Sequence, residues 1–225
     1  AASEEGKRRF SASRALGRVT PICLEHTPQP WHGDFALKLT DPLSSNEDDV
    51  RRRGYRMLPT PALGPLFDPA FEEALEEPLP EAAQGQLPLL VLGAGANGAN
   101  NHIRLLEALQ PLAGKIKVVA LCGRRQAAFR QVQDWSDQHS ELEVEPLAFQ
   151  GPAAMATLYK TAWAMVARPG ARTATEALAA GCVLIFNGFG TTMPQELLAR
   201  RYFQARNIDR CIRQPKDLLS LCRLW

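Results

Sequence analysis

Short apolar runs alternating with helical patterns between residues 87 and 186 constrain this chain more than any other feature. Leu87 to Leu92 (LPLLVL) is wholly apolar and stops at a glycine, and Ile116 to Leu121 (IKVVAL) is β-branched and stops just short of another. Between them, Ile103 to Leu109 has helical spacing. The cycle then repeats: Arg124 to His139 reads as a helix, Leu142 to Phe149 as a strand and Ala153 to Ala162 as a helix. Trp163 to Ala167 is the next strand, Thr173 to Ala180 a helix stopped by Gly181, and Val183 to Phe186 a further strand. Strands apolar on both faces can be buried only beneath helices on each side. The pattern therefore predicts an α/β fold, a Rossmann-like, doubly wound parallel sheet.

Residues 59–86 interrupt that regularity. The stretch PTPALGPLFDPAFEEALEEPLPEAAQGQ is rich in proline, then acidic, and reads as a linker with one short helix at Ala70 to Leu75. Upstream, Arg18 to Leu24 reads as a strand running into a Pro-rich loop, Glu25 to His32. The net charge of +2 provides no basic surface for neutralising phosphates, so nucleic acid is not an expected partner. Five cysteines without a C-x-x-C spacing predict neither a disulfide framework nor a zinc site, and His26 with His32 is too few ligands for a metal. No apolar run reaches the roughly 20 residues that cross a bilayer. The first residues, AASEEGKRRF, are charged where a signal peptide is apolar, so a cytoplasmic location is expected. A start at Ala1 and a stop on LLSLCRLW lead us to expect a longer natural protein.

Doubly wound sheets bind ligands at the carboxyl ends of their strands, which directs attention to the loops there. Gly93-Ala94-Gly95-Ala96-Asn97-Gly98 is a G-x-G-x-x-G run after a strand and before a helix. Such glycines let backbone N–H groups close on a phosphate that the helix dipole also attracts; a purely structural tight turn is the alternative. A dinucleotide site would need an acid at the end of the next strand, but Cys122-Gly123-Arg124-Arg125 stands there. The two arginines leave an NADP-binding oxidoreductase open, since they suit a 2′-phosphate. Arg168-Pro169-Gly170-Ala171-Arg172-Thr173-Ala174-Thr175-Glu176 follows a later strand, with Thr173 and Glu176 three apart on one helix face. That pair reads either as a capping box or as a carboxylate placed to accept hydrogen bonds from the vicinal hydroxyls of a ribose. Together with a phosphate loop, the second reading suits a nucleotide.

These residues resemble a known family. GAGANG, LCGRR and RPGARTATEAL, with Asn187-Gly188-Phe189 and Gln195-Glu196 further on, are similar to motifs of the C-terminal domain of family 28 glycosyltransferases, of GT-B fold. Peptidoglycan-precursor N-acetylglucosaminyltransferases, monogalactosyldiacylglycerol synthases and processive diacylglycerol glucosyltransferases belong to it. The resemblance implies a C-terminal remnant of an acceptor-binding domain at 1–58, an interdomain linker at 59–86 and a nucleotide-sugar-binding domain at 87–225.

Carried over residue by residue, it implies that Gly95, Asn97 and Gly98 face a diphosphate, with Arg124 at the neighbouring strand end. Gln150, Gly151 and Pro152 would hold a uracil by backbone contacts. Arg168, Gly170, Ala171 and Thr173 would line diphosphate and sugar, Glu176 would bind the ribose, and Gln195 and Glu196 would meet sugar hydroxyls. The implied reaction transfers a hexose or N-acetylhexosamine from a UDP-sugar to a lipid-linked or other hydroxyl, with inversion and without metal or cofactor. The general base is expected in the acceptor half, most of which lies outside these residues; His26 is a cleft candidate. The resemblance also implies peripheral contact with the inner face of a membrane, made through that half. Two other readings remain open: a UDP-sugar 2-epimerase, and a degenerate nucleotide-binding or interaction module, since Ala62 and Ala199 stand where the family carries Arg and Asn.

Overall fold

A computed structural model describes residues 68–77, 86–93, 101–168, 170–189 and 206–224, with short pieces at 22–23, 35–36, 56–57, 196, 200 and 203–204. The chain divides into two compact units, one of residues 1–66 and 200–207, the other of 67–199 and 208–225. In the first unit three two-residue strands, β1 (Ile22–Cys23), β2 (Phe35–Ala36) and β3 (Arg56–Met57), pair in parallel in chain order.

The second unit carries the expected doubly wound sheet. Its strands are β4 (Leu89–Leu92), β5 (Lys117–Gly123), β6 (Glu143–Ala148), β7 (Ala164–Ala167), β8 (Val183–Asn187) and β9 (Arg210–Ile212), all parallel, in the order β6-β5-β4-β7-β8-β9. The first strand of this sheet, β4, lies in its middle and the order reverses across it. The switch point, where such sheets open a crevice, therefore falls between the carboxyl ends of β4 and β7. The helices are α1 (Pro69–Glu76), α2 (His102–Leu109), α3 (Gln126–Gln138), α4 (Pro152–Thr161), α5 (Ala171–Ala179) and α6 (Pro215–Arg223), with a 3₁₀ turn at Gln110–Leu112.

Strand alternation sorts the core. Leu90, Leu92, Val118, Ala120, Cys122, Ala164, Val166, Ile185 and Ile212 form one buried cluster with Leu105 and Leu109 of α2, Val132 and Trp135 of α3, and Leu218 of α6. The intervening Val91, Val119, Met165, Leu184 and Phe186 are equally buried and project the other way. Right-handed crossovers place α4 and α5 on that second side. One strand departs from the expectation of two apolar faces. β6 reads EVEPLA because it is an edge strand: its exposed Glu143 and Glu145 pair with Lys117 of β5 at 3.0 and 3.3 Å. Charge on an edge strand discourages pairing with another chain.

The linker's short helix is real and longer than expected at both ends. Asp68 caps α1 by accepting a hydrogen bond from the Ala70 N–H at 3.0 Å, and Pro69 occupies its first position. Lys160 of α4 donates to the carbonyls of Ala74 (3.2 Å), Leu75 (3.0 Å) and Glu77, three acceptors at the end of α1 that its own ladder leaves open. Two further elements, β9, a three-residue strand too short for a periodic signal, and α6, lie beyond the strands and helices expected from the sequence.

Candidate functional site

The β4 carboxyl end meets β7 so closely that only glycine fits. The Gly93 N–H donates to the Val166 carbonyl at 2.7 Å, and a Cβ at Gly93 would stand 2.7 Å from the Met165 Cε and 3.1 Å from that carbonyl oxygen. The first glycine of the loop thus joins the two strands that flank the switch point. Gly95, Asn97 and Gly98 lie outside the described residues. His102 opens α2 as a buried side chain. Burial pushes its pKa down to about 4, against hydrogen bonds to the Leu92 and Gly93 carbonyls, so the ring is neutral beside the loop at neutral pH.

At the ends of β5 and β6, the Arg124 guanidinium lies 4.4 Å from the centroid of the Phe149 ring, which is 58% exposed. This is a cation–π contact on a surface-exposed aromatic face. Gln150, next along, donates its side-chain amide to the Ala148 carbonyl at 3.1 Å; Gly151 is the N-cap of α4 and Pro152 its first residue. A glycine cap has no side chain to accept from the first-turn amides. The same holds at β7, where Gly170 is the N-cap of α5 and Ala171 its first residue. Two helices therefore present amides and positive dipole ends at the carboxyl edge of the sheet, an arrangement suited to oxygen acceptors and anions.

Placing the cap at Gly170 rules out one reading of Thr173 and Glu176, the capping box. They are the third and sixth residues of α5, not its cap and third position, so they form no capping box. Glu176 is 7% exposed in the second turn, and its Oε2 accepts from the Tyr159 hydroxyl at 3.4 Å. Tyr159 on α4 is 1% exposed. Burial, and then the Glu176 charge, raise the pKa of its phenol, while a hydrogen bond from Thr173 works in the opposite sense. Phe71 of α1 meets the Tyr159 ring edge-on at 5.8 Å between centroids.

Arg168 follows β7 and is held on several sides. Its Nε and Nη2 donate to the Glu196 carboxylate at 3.1 and 2.6 Å, a bidentate pair, and its Nη1 donates to the Phe189 carbonyl at 2.8 Å. Glu196 is 2% exposed. The bond to Phe189 ties the end of β7 to the turn after β8. That turn is itself tight: the Asn187 Oδ1 accepts from the Phe189 N–H at 3.0 Å, and Gly188 donates its N–H to the Ile212 carbonyl at 2.8 Å. A Cβ at Gly188 would stand 2.8 Å from the Cys211 Sγ.

Thr173 with Glu176, and Arg168 with Glu196, are thus brought together in pairs, and Arg124 stands beside Gln150 through Phe149. Gln195 and His26 lie outside the described residues. Among the described residues no group of three or more His, Cys, Asp and Glu side chains could hold a metal ion. Tyr159, Phe149 and His102 stand against Glu176, Arg124 and the β4 loop in turn, and were not singled out from the sequence. Tyr159 carried the one available signal: a tyrosine on the apolar face of a helix must bring its hydroxyl to a partner.

Residues 89–199 match the Glycosyltransferase family 28 C-terminal domain. Among curated proteins, none matches the chain by sequence. Several solved structures share its fold. A putative UDP-N-acetylglucosamine 2-epimerase from Listeria monocytogenes superposes with a TM-score of 0.63 at 10% identity, covering 98% of this chain and 62% of its own. HepE from Anabaena, solved in complex with UDP-glucose, gives 0.56 at 9% identity, covering 99% and 66%. MurG from Acinetobacter baumannii gives 0.55 at 15% identity, covering 99% and 62%. The chain thus spans less than two thirds of each of these three proteins.

Proposed function

Since residues 89–199 match the glycosyltransferase family 28 C-terminal domain and the structural neighbours include glycosyltransferases, we propose that this chain is the donor-binding part of a UDP-sugar-dependent hexosyltransferase. One observation supports the reading most. Glu176 is a buried carboxylate in the second turn of a helix whose Gly-capped start lies at the mouth of the sheet. Burying a charge is costly without a purpose that uses it, and holding a ribose diol is such a purpose.

In this reading the Gly93–Gly98 loop and the first amides of α5 take the diphosphate, and Glu176 accepts from the two ribose hydroxyls. The turn Gln150-Gly151-Pro152 meets the uracil, with Arg124 beside it on Phe149. Arg168, held by Glu196, fixes the turn after β8 near the sugar through the Phe189 carbonyl. Gln195 and Glu196 supply acceptors for sugar hydroxyls. An acceptor hydroxyl attacks the anomeric carbon, the bond to the UDP oxygen breaks, and configuration inverts. The negative charge that grows on the leaving diphosphate meets preorganised amides and a helix dipole, without metal or cofactor. The general base, worth about 10²–10⁴-fold, comes from the acceptor-binding half, of which residues 1–58 are one part and 59–86 the connection. A lipid-linked hydroxyl at the inner face of a membrane is the acceptor this reading favours. Among the described residues no helix is long and apolar enough to cross one.

A nucleotide panel tests the assignment. Calorimetry with UDP, CDP, GDP and NADPH should show binding that prefers UDP; preference for NADPH would instead support an oxidoreductase. The epimerase reading, which shares this fold, is separated by product analysis on the protein with its acceptor half. Transfer requires an acceptor, whereas epimerisation of the UDP-sugar proceeds without one.

A further inference from the structure

We infer that Tyr159 is a positioning residue for the Glu176 carboxylate, and that α1 seats Tyr159 from behind through Phe71. The inference rests on Glu176 being the ribose-binding group. A glutamate side chain has three rotatable bonds, and on a helix its carboxylate sweeps a wide arc unless something stops it. Here the Tyr159 hydroxyl reaches the Oε2 from a different helix, 17 residues away in sequence, with Thr173 bonded to the same hydroxyl. A phenol held by packing can direct a hydrogen bond at little entropic cost, because only two torsions place its oxygen.

Packing does hold it. Phe71 is fully buried and meets the Tyr159 ring edge-on at 63°. The next residue, Lys160, fastens the end of α1 by donating to its last carbonyls. A segment that reads as linker therefore forms the outer wall of the ribose site. Two contacts join it to α4, Phe71 on Tyr159 and Lys160 on the α1 terminus, and Tyr159 in turn reaches Glu176.

The test compares UDP with 2′-deoxy-UDP by calorimetry on the full 225-residue chain, for the unaltered protein, Glu176→Ala, Tyr159→Phe and Phe71→Leu. The unaltered chain should prefer UDP by about 10-fold, the worth of one hydrogen bond to a charged group. Glu176→Ala should abolish the preference. Tyr159→Phe keeps the ring and loses only the hydroxyl. It should cut the preference to about 3-fold or less, weakening UDP by about 10-fold but 2′-deoxy-UDP, which keeps one hydroxyl on Glu176, by only about 3-fold. A merely structural role would weaken both ligands alike and leave their ratio intact, and that outcome overturns the inference. Phe71→Leu keeps the hydroxyl but loosens its seat, and should narrow the preference in the same direction. If Tyr159→Phe does not fold, an unchanged ratio in Phe71→Leu overturns the inference in its place. Loss of preference in Glu176→Ala alone leaves the ribose reading standing without Tyr159. A full preference retained in Glu176→Ala contradicts that reading and this inference together.

Discussion

His102 and Gly188 show how single residues brace the carboxyl edge of the sheet. The neutral His102 ring is buried against the carbonyls that end β4, and its folded pKa of about 4 lies below the unfolded value near 6.5. Above pH 6.5 both states are neutral. As the pH falls from there toward 4, the unfolded chain takes up a proton that the folded chain refuses, so stability falls with pH across that window. Roughly 2 kcal/mol should be lost between pH 7 and pH 5 from this residue. Urea denaturation at the two pH values should show a smaller difference for His102→Gln than for the unaltered chain. Gly188 acts through close packing instead, since a Cβ there would stand 2.9 Å from the Ile212 carbonyl oxygen as well as close to the Cys211 Sγ. Gly188→Ala should cost about 2 kcal/mol in thermal unfolding, because the turn must open to admit a methyl. Neither role is visible in the sequence. A histidine after a glycine loop and a glycine in N-G-F look the same there whether they line a site or brace it.

At the scale of elements, the strands and helices from β4 to β8 were legible because period and glycine punctuation agree there. Boundaries moved by one or two residues, and at α5 that shift mattered. A helix starting at Ala171 rather than Thr173 turns an apparent capping box into a buried acid. The sequence pattern S/T-x-x-E is satisfied by either geometry, so only the position of the cap distinguishes them. The α1 helix was expected as a short piece of linker, but its docking on α4 was not. Docking depends on Lys160, whose target carbonyls lie more than 80 residues away in sequence. Lys160→Met keeps the length and apolar stem of the side chain and removes the donor. It should destabilise the chain by about 1–2 kcal/mol, seen as a Tm lower by about 3–6 °C. Amide exchange should speed up in α1 before it does in the sheet.

For the whole molecule, the strand order was the least legible feature. Alternating strands and helices imply a parallel sheet, but which strand neighbours which follows from crossover geometry. The reversal across β4 appears only when the six strands are assembled. Motif-bearing loops far apart in sequence, at Gly93, Arg124, Gln150 and Arg168, come to one edge for that reason. The match to family 28 over residues 89–199 and the GT-B neighbours agree with that assembly. The central claim is that this edge holds the nucleotide of a UDP-sugar, with Glu176 on the ribose. The most direct test is a calorimetric titration of UDP into the chain and into Glu176→Ala, with folding of both checked by circular dichroism. Removing two hydrogen bonds to a charged acceptor predicts affinity lower in the variant by on the order of 100-fold. Equal UDP affinity in the two folded proteins would contradict the account.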